Sequence, residues 1–326
     1  MSNIKLKNNP ELVEAIEKVL NSGESIRSAA REVLGSETRE SSIRAAIKRG
    51  DVVVGGGTVN DLRNIPKPKV LILDIESSPL KSYTWSLFNN FVALNQVNAE
   101  WFLLSYSAKW LGEDEIFYDD MRGKVDSEDD THLLAQLWQL LNDADIVVGQ
   151  NSKRFDTKKI NARFIMNGYK PPSSYKQIDT LEIAKRHFAF TSNKLEWLSD
   201  KLNQNYKKLS HSNFAGFELW KGMLEDNIDA WEECEDYNKH DVLATEELYL
   251  TLAPWDSKHP NFNLYHHESE HICRCGSKNV VRHGYAYTGK SKFQRWRCED
   301  CGAESRDSIN LFDKEKRKSL HLNIIN

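Results

Sequence analysis

Residues Val70-Leu71-Ile72-Leu73-Asp74-Ile75-Glu76 constrain this chain more than any other stretch. An apolar run that ends in alternating acid and aliphatic residues reads as a buried strand with acids emerging at its end. Asp74 and Glu76 lie two apart, so both carboxylates point to one face of that strand. The apolar residues before them fix their alignment by packing.

More strands follow at 101–110 and 115–118, then a helix over 131–142 with Leu133, Leu134, Leu137, Leu140 and Leu141 inward. Asp145-Ile146-Val147-Val148-Gly149 is a short buried strand. Helices are expected at 157–167, 181–188, 194–202, 230–237 and 241–252. Strands first, then strand and helix mixed, predict an α/β domain with a mixed sheet over residues 67–255.

Four further regions flank that domain. Residues 1–50 read as helices, and helical spacing places Leu12, Ile16, Val19 and Leu20, then Ile26, Ala29, Ala30 and Val33, then Ile43, Ala46 and Ile47 inward. The third helix puts Arg39, Arg44, Lys48 and Arg49 outward. It is either a helix-turn-helix or a plain bundle with a solvated basic face. Residues 51–66 form a linker around Gly55-Gly56-Gly57. Residues 256–312 hold four of the five cysteines, and 313–326 form a basic tail expected to fray.

Charge is divided unevenly. Residues 67–270 carry 22 basic and 33 acidic side chains, whereas residues 271–326 carry 12 basic and 6 acidic. An acidic centre beside a basic end fits metal chelation next to polyanion binding, or merely acidic solvated faces. No apolar run is long enough to span a bilayer and none after Met1 reads as a signal peptide, so the expectation is a cytoplasmic protein without membrane partners.

Phosphodiester cleavage needs positive charge on both the attacking and the leaving oxygen of an anionic substrate. Two divalent cations held by carboxylates meet that need, and oxygen ligands suit Mg²⁺ or Mn²⁺. Asp156 follows the strand at 146–148 and opens a helix, while Tyr237 and Asp241 lie four apart on one helix face. Singly, each has an ordinary explanation: a chance surface pair, a helix-starting aspartate, an accident of spacing.

Taken in order, Asp74-x-Glu76, Asn151-x-x-x-Phe155-Asp156 and Tyr237-x-x-x-Asp241 resemble the DEDD superfamily of 3′–5′ exonucleases. The tyrosine is that of the DEDDy branch, which includes polymerase proofreading domains. The histidine branch carries His five residues before the last Asp, where this chain has Asp236; His240 points off the face. Residues 67–255 also look like the predicted ribonuclease-H-like exonuclease family of bacteria and phages, through stretches at 148–164, 171–184, 192–202, 216–220 and 237–252.

The resemblance implies a ribonuclease-H-like mixed sheet flanked by helices, and roles for five residues. Asp74 would bridge two metals, Glu76 and Asp241 would hold the one that activates water, and Asp156 would reach the second. Tyr237 would orient the water or the scissile phosphate, and 5′-mononucleotides would leave from a 3′ end. Lys194 is either a phosphate contact or a solvated lysine. Asp179 reads as a helix cap rather than a ligand.

Cys273-x-Cys275 and Cys298-x-x-Cys301 are separated by 22 residues, and Gly276 and Gly302 follow the second cysteine of each pair. That spacing predicts two knuckles on one structural Zn²⁺. The module is similar to the zinc ribbons attached to transposases and other nucleic-acid enzymes. Its first knuckle is C-x-C rather than C-x-x-C, which leaves His271 as a substitute ligand. Arg274, Lys278, Arg282, Lys290, Lys292, Arg295 and Arg297 lie among aromatic residues, a composition suited to phosphate contact and base stacking. Cys234 reads as a buried, inert thiol.

The sequence therefore predicts a metal-dependent 3′–5′ exonuclease acting on nucleic acid, DNA ahead of RNA, with protein partners left open. The alternatives are a structure-selective endonuclease on the same fold, a proofreading subunit, and a nucleic-acid-binding regulator with an inactive nuclease domain.

Overall fold

The computed structural model describes residues 9–21, 26–36, 42, 43, 46, 52, 68–88, 91–125, 128–209, 213–265 and 271–322. Two compact units are present: Met1–Lys67 with Leu264–Glu270, and Pro68–Asn263 with His271–Asn326.

In the first unit, α1 (Pro10–Asn21) and α2 (Ile26–Leu34) pack on one apolar cluster. Ile16, Ala29, Ala30, Leu34, Ile43, Ala46 and Val52 are buried in it, with Leu12, Val19 and Val33 against it. Helical spacing marks most of that inward face. Gly35 adopts a φ of +71°, and the Ser36 amide closes the end of α2 on Ala30 O. The expected third helix, apart from Ser42, Ile43 and Ala46, lies outside the described residues. So do Leu20 and Ile26 as side chains, Ile47, and all of the expected linker except Val52.

The second unit is built on a mixed sheet in the order β5-β4-β1-β6-β7. Its central strand β1 (Val70–Ser77) pairs antiparallel with β4 (Leu103–Trp110), which pairs antiparallel with β5 (Ile116–Asp120). On its other side β1 runs parallel to β6 (Ile146–Gly149), and β6 parallel to β7 (Lys176–Asp179).

The strand's period of two sorts its side chains between two cores. Leu71, Leu73 and Ile75 join the cluster of α3 (Thr131–Asp143) and α4 (Asp156–Met166). Val70 and Ile72 join the cluster of α5 (Thr180–His187), α6 (Leu195–Leu202) and the later turns of α8 (Ile228–Leu252). Asp74 and Glu76 continue this second row. Asp130 is fully buried and braces the first layer, accepting two bonds from the Arg163 guanidinium and one from the Leu103 amide.

Some elements differ from their sequence expectation. β4 starts at Leu103 because Ser78 Oγ takes the amide of Phe102, at 2.9 Å. Helices expected at 230–237 and 241–252 are one helix, α8, since Asn238-Lys239-His240 contains no breaker. Three elements had no clear sequence signal: β7, α7 (Glu218–Leu224), and a ribbon of β2 (Lys81–Ser82) with β3 (Val97–Ala99).

β8 (Val280–Thr288), β9 (Ser291–Cys298) and β10 (Glu304–Arg306) form a separate small sheet in the order β10-β9-β8. It joins the rest of this unit through Arg274, whose backbone carbonyl accepts from the Phe262 amide and whose guanidinium donates to Pro254 O. The tail expected to fray contains α9 (Lys314–Ser319), capped by Asp313 Oδ1 on the Lys316 amide. Among the described residues, no helix is long and apolar enough to cross a membrane.

Candidate active site

Three elements carry the acids that the sequence singles out. β1 presents Asp74 and Glu76 toward α8, where Asn238 Nδ2 donates to Asp74 Oδ2 at 2.7 Å. Ser105 Oγ, opposite Glu76 in register, donates in turn to Asn238 Oδ1 at 3.3 Å. The indole of Trp220, from α7, donates to Glu76 Oε2 at 3.2 Å.

Asp156 reaches the same place from the end of β6. The chain turns at Gly149, where a Cβ would lie 2.6 Å from Ser152 Cβ and 3.0 Å from Leu73 O, so only glycine fits. Asn151 follows at φ +62°, and its amide and that of Lys153 are held by the Asp179 carboxylate. Asp179 also caps α5 through the Leu181 amide, in keeping with its reading as a cap. Asp156 then opens α4 but does not cap it. Its Oδ1 accepts the Ile75 amide at 3.1 Å, which binds it to the strand between Asp74 and Glu76.

Tyr237, Asn238 and Asp241 are buried on one face of α8. His240 leaves that face and packs edge-on against Tyr206. Lys208 enters from the loop after α6, where its amide donates to Ser199 Oγ. Its ammonium lies 2.5 Å from Asp241 Oδ2 and 4.4 Å from the centre of the Tyr237 ring. Asp241 Oδ1 is buried without a hydrogen-bond partner.

The electrostatics follow from that crowding. Burial first, then the charges of Asp156, Asp241 and Glu76, push Asp74 well above the ordinary carboxylate range. Burial and Asp241 carry Glu76 up to about 7. Burial carries Asp156 to about 7 against the opposing pull of its backbone hydrogen bonds. Burial also raises Asp241, with Lys208 opposing. Four carboxylates drawn out of water onto one another, one with an orphaned oxygen, form a donor set that divalent cations would satisfy.

The carboxylate group is wider than the cysteine group. Among the described residues, the ligand atoms that all lie within 4.8 Å of one another are those of Cys273, Cys275, Cys298 and Cys301. Sγ of Cys273 is 3.7 Å from that of Cys301, and Cys275 is 3.8 Å from Cys298. A tetrahedron with zinc–sulfur bonds of about 2.3 Å has edges of about 3.8 Å, and a disulfide requires about 2.05 Å. The thiols therefore fit a zinc ion and not a pair of bridges. Gly276 and Gly302 adopt φ of +89° and +73°, and their amides close the knuckles on Cys273 O and Cys298 O. His271 is not a fourth ligand. It stacks on Trp296 at 4.0 Å, because the C-x-C knuckle already brings both of its sulfurs inward.

Sequence reasoning gave no role to Lys208, Asn238 or Trp220. Asn238 had a signal, since it lies three residues before Asp241 and so on the same helix face. Nothing local marked Lys208. Lys194 opens α6 with its amide on Ser192 Oγ, and Cys234 is fully buried, as its reading as an inert thiol requires.

Among comparisons with known proteins, a sequence-family model shows the family. The sequence model of RNase_H_2, described as RNase_H superfamily, matches residues 71–253, more than half of the chain. No curated protein matches the sequence. Among solved structures, the chain is similar to the family B DNA polymerase from the hyperthermophilic archaeon Pyrobaculum calidifontis, at 16% identity and a TM-score of 0.44. That match covers 58% of this chain and 25% of the polymerase, so the chain spans about a quarter of the polymerase's length.

Proposed function

We propose that this chain, which belongs to the RNase H superfamily, is a nuclease, and more narrowly a metal-dependent 3′–5′ exonuclease that releases 5′-mononucleotides. One observation carries the reading. Asp74, Glu76, Asp156 and Asp241 meet beside Tyr237 with an oxygen of Asp241 left unpartnered.

Two bound Mg²⁺ or Mn²⁺ ions would supply positive charge to the attacking and leaving oxygens. The chain's own residues account for the rest. Asp74, Glu76, Asp156 and Asp241 would hold the cations. Asn238 and Trp220 keep the Asp74 and Glu76 carboxylates aimed by hydrogen bonds. The Tyr237 hydroxyl orients the water or the scissile phosphate. Burial raises that phenol far above neutrality, so it acts as a hydrogen-bond donor and not as an anion. Water attacks phosphorus, the bond to the 3′ oxygen breaks, and the terminal nucleotide leaves with a 5′-phosphate.

The cysteine module is proposed as a structural zinc ribbon that also meets the polyanion. Arg282 lies over Trp296, Lys292 over Tyr285 at 3.7 Å, and Arg306 over Phe293 at 3.9 Å. Phe293 is buried and His271 covers Trp296, so these pairs set out cationic groups for phosphate contact, with base stacking left to the exposed Tyr285.

The test uses 3′- and 5′-labelled single-stranded DNA and RNA with Mg²⁺, Mn²⁺ or EDTA. A metal-dependent ladder that shortens from the 3′ end is expected. Internal cuts would instead identify an endonuclease, and binding without cleavage a nucleic-acid-binding protein.

A further inference from the structure

The turn that carries Asp156 from β6 into α4 is basic. Residues 153–159 read Lys-Arg-Phe-Asp-Thr-Lys-Lys, four cations around one acid, whereas residues 67–270 carry 22 basic and 33 acidic side chains. A helix disfavours cations in its first turn, so α4 gains nothing from Lys158 and Lys159 there.

The four cations have different surroundings. Lys153 pairs with Glu182 at 2.6 Å. Arg154 and Lys158 are exposed, and Lys159 is half-buried. The Lys159 ammonium donates to Ser77 Oγ at 2.8 Å and lies 4.0 Å from the Trp101 ring centre and 5.1 Å from that of Phe155. Ring faces and a hydroxyl hold this charge without neutralising it. Other half-buried lysines of the same unit meet a carboxylate, Lys208 that of Asp241 and Lys239 that of Glu235. Among the described residues, no carboxylate lies within 4.0 Å of Lys159 Nζ. An ammonium has three donors, and Ser77 takes one.

This cation borders the candidate site. Ser77 follows Glu76 in β1, Phe155 precedes Asp156, and Lys159 stands one helical turn after Asp156. Burial lowers the ammonium's pKa, while the charge of Asp156 opposes that shift. Asp156 is therefore felt across space but not bonded. A cation held ready beside metal-binding carboxylates has one further partner in a nuclease, the anionic strand. α4 packs on the Leu73 and Ile75 side of β1, opposite the row of Asp74 and Glu76. Lys159 thus faces a phosphate beside the scissile one and not the scissile one itself.

We propose that Lys159 binds the phosphodiester next to the one being cut, so that the site prefers a strand to a single nucleotide ester. This rests on the nuclease reading for the cut itself, but the contact can be measured without cleavage.

Fluorescein-labelled oligo(dT) strands carry one neutral methylphosphonate at the first, second or third linkage from the 3′ end. The full chain is titrated into each by anisotropy with Ca²⁺, a cation that takes the same oxygen ligands. With the all-phosphate strand, Lys159→Met should weaken binding about tenfold, as loss of a charged hydrogen bond does. The slope of log affinity against log salt should shrink by about 0.7. Lys159→Arg should restore most of the affinity. In the wild type, a neutral second linkage should cost the same factor as Lys159→Met, and the two together should cost no more. Methionine keeps an unbranched stem against Trp101, and the wild-type scan needs no variant. A lysine that only offset the carboxylates would lose affinity for neutral and charged linkages alike, so additive losses would overturn the proposal. So would a wild type to which a neutral second linkage costs nothing. The same strands with Mn²⁺ test the cut. If the wild type shortens none of them, the nuclease reading fails, while the loss shared by Lys159→Met and a neutral linkage still decides the contact.

Discussion

Lys208 Nζ lies 2.5 Å from Asp241 Oδ2, so a built-in cation neutralises one of the four clustered carboxylates. Burial lowers the ammonium's tendency to stay charged, but Asp241 and Tyr237 outweigh it and raise its pKa above the ordinary lysine value. On the proposed assignment, the lysine and a metal ion would compete for the same carboxylate.

Lys208→Met should destabilise the metal-free protein and tighten Mn²⁺ binding. Breaking a buried pair costs about 3–5 kcal/mol, and about 1–3 kcal/mol is expected here because Lys208 is 21% exposed and Asp241 can protonate. Chemical denaturation in EDTA and calorimetric Mn²⁺ titration measure the two effects. Weaker Mn²⁺ binding in the variant would mean that the lysine assists the cation and does not compete with it.

Without metal, stability should decline as pH rises from about 4 to about 7. Glu76 and Asp156 ionise near 4.5 and 3.8 ordinarily, but near 7 in the fold. A raised carboxylate pKa favours the neutral form, so its penalty is absent below the unfolded value and complete above the folded one. Each unit corresponds to about 1.4 kcal/mol, and mutual coupling makes the total smaller than a sum over residues. Mn²⁺ should consequently raise the melting temperature more at pH 8 than at pH 5. Equal increments at both pH values would contradict the clustered-carboxylate geometry.

Asp74→Ala should reduce hydrolysis of labelled single strands by orders of magnitude while circular dichroism stays native. Wild-type rate with intact metal binding would refute the assignment of this residue.

Trp220→Phe keeps the ring but removes the donor to Glu76 Oε2. Hydrolysis should fall about tenfold, the lower range for loss of an outer hydrogen bond to a metal ligand. The melting temperature in EDTA should move little. A large fall in stability would mark the indole as packing and not as an aiming group.

Purified protein should carry one zinc per chain by inductively coupled plasma mass spectrometry. Cys298→Ser should lose it, because Cys298 is buried within the thiol group. Full zinc occupancy in that variant would exclude the four-sulfur site.

The strand at 70–77 and the helix at 131–143 were legible because each carries a strong periodic apolar pattern. β7 was not, since only its last two residues are buried and its four residues hold too little pattern. The ribbon of β2 and β3 escaped notice for a related reason: the apolar residues around it are exposed, and apolar residues without burial leave no amphipathic rhythm. His271 was an open zinc ligand in the sequence and was removed from that role by its stack on Trp296.

What the sequence by itself determined is local: which strand ends in two acids, which helix face carries Tyr237 and Asp241, and which glycines let the cysteine knuckles turn. Periods of 2 and 3.6 residues encode those choices within a few positions. Tertiary structure alone decided which groups meet. Asn238 aims Asp74 from 164 positions away, Trp220 aims Glu76 from 144, and Lys208 reaches Asp241 from 33. No local pattern encodes such meetings, because they exist only after β1 and α8 have packed and have taken their shared polar groups out of water.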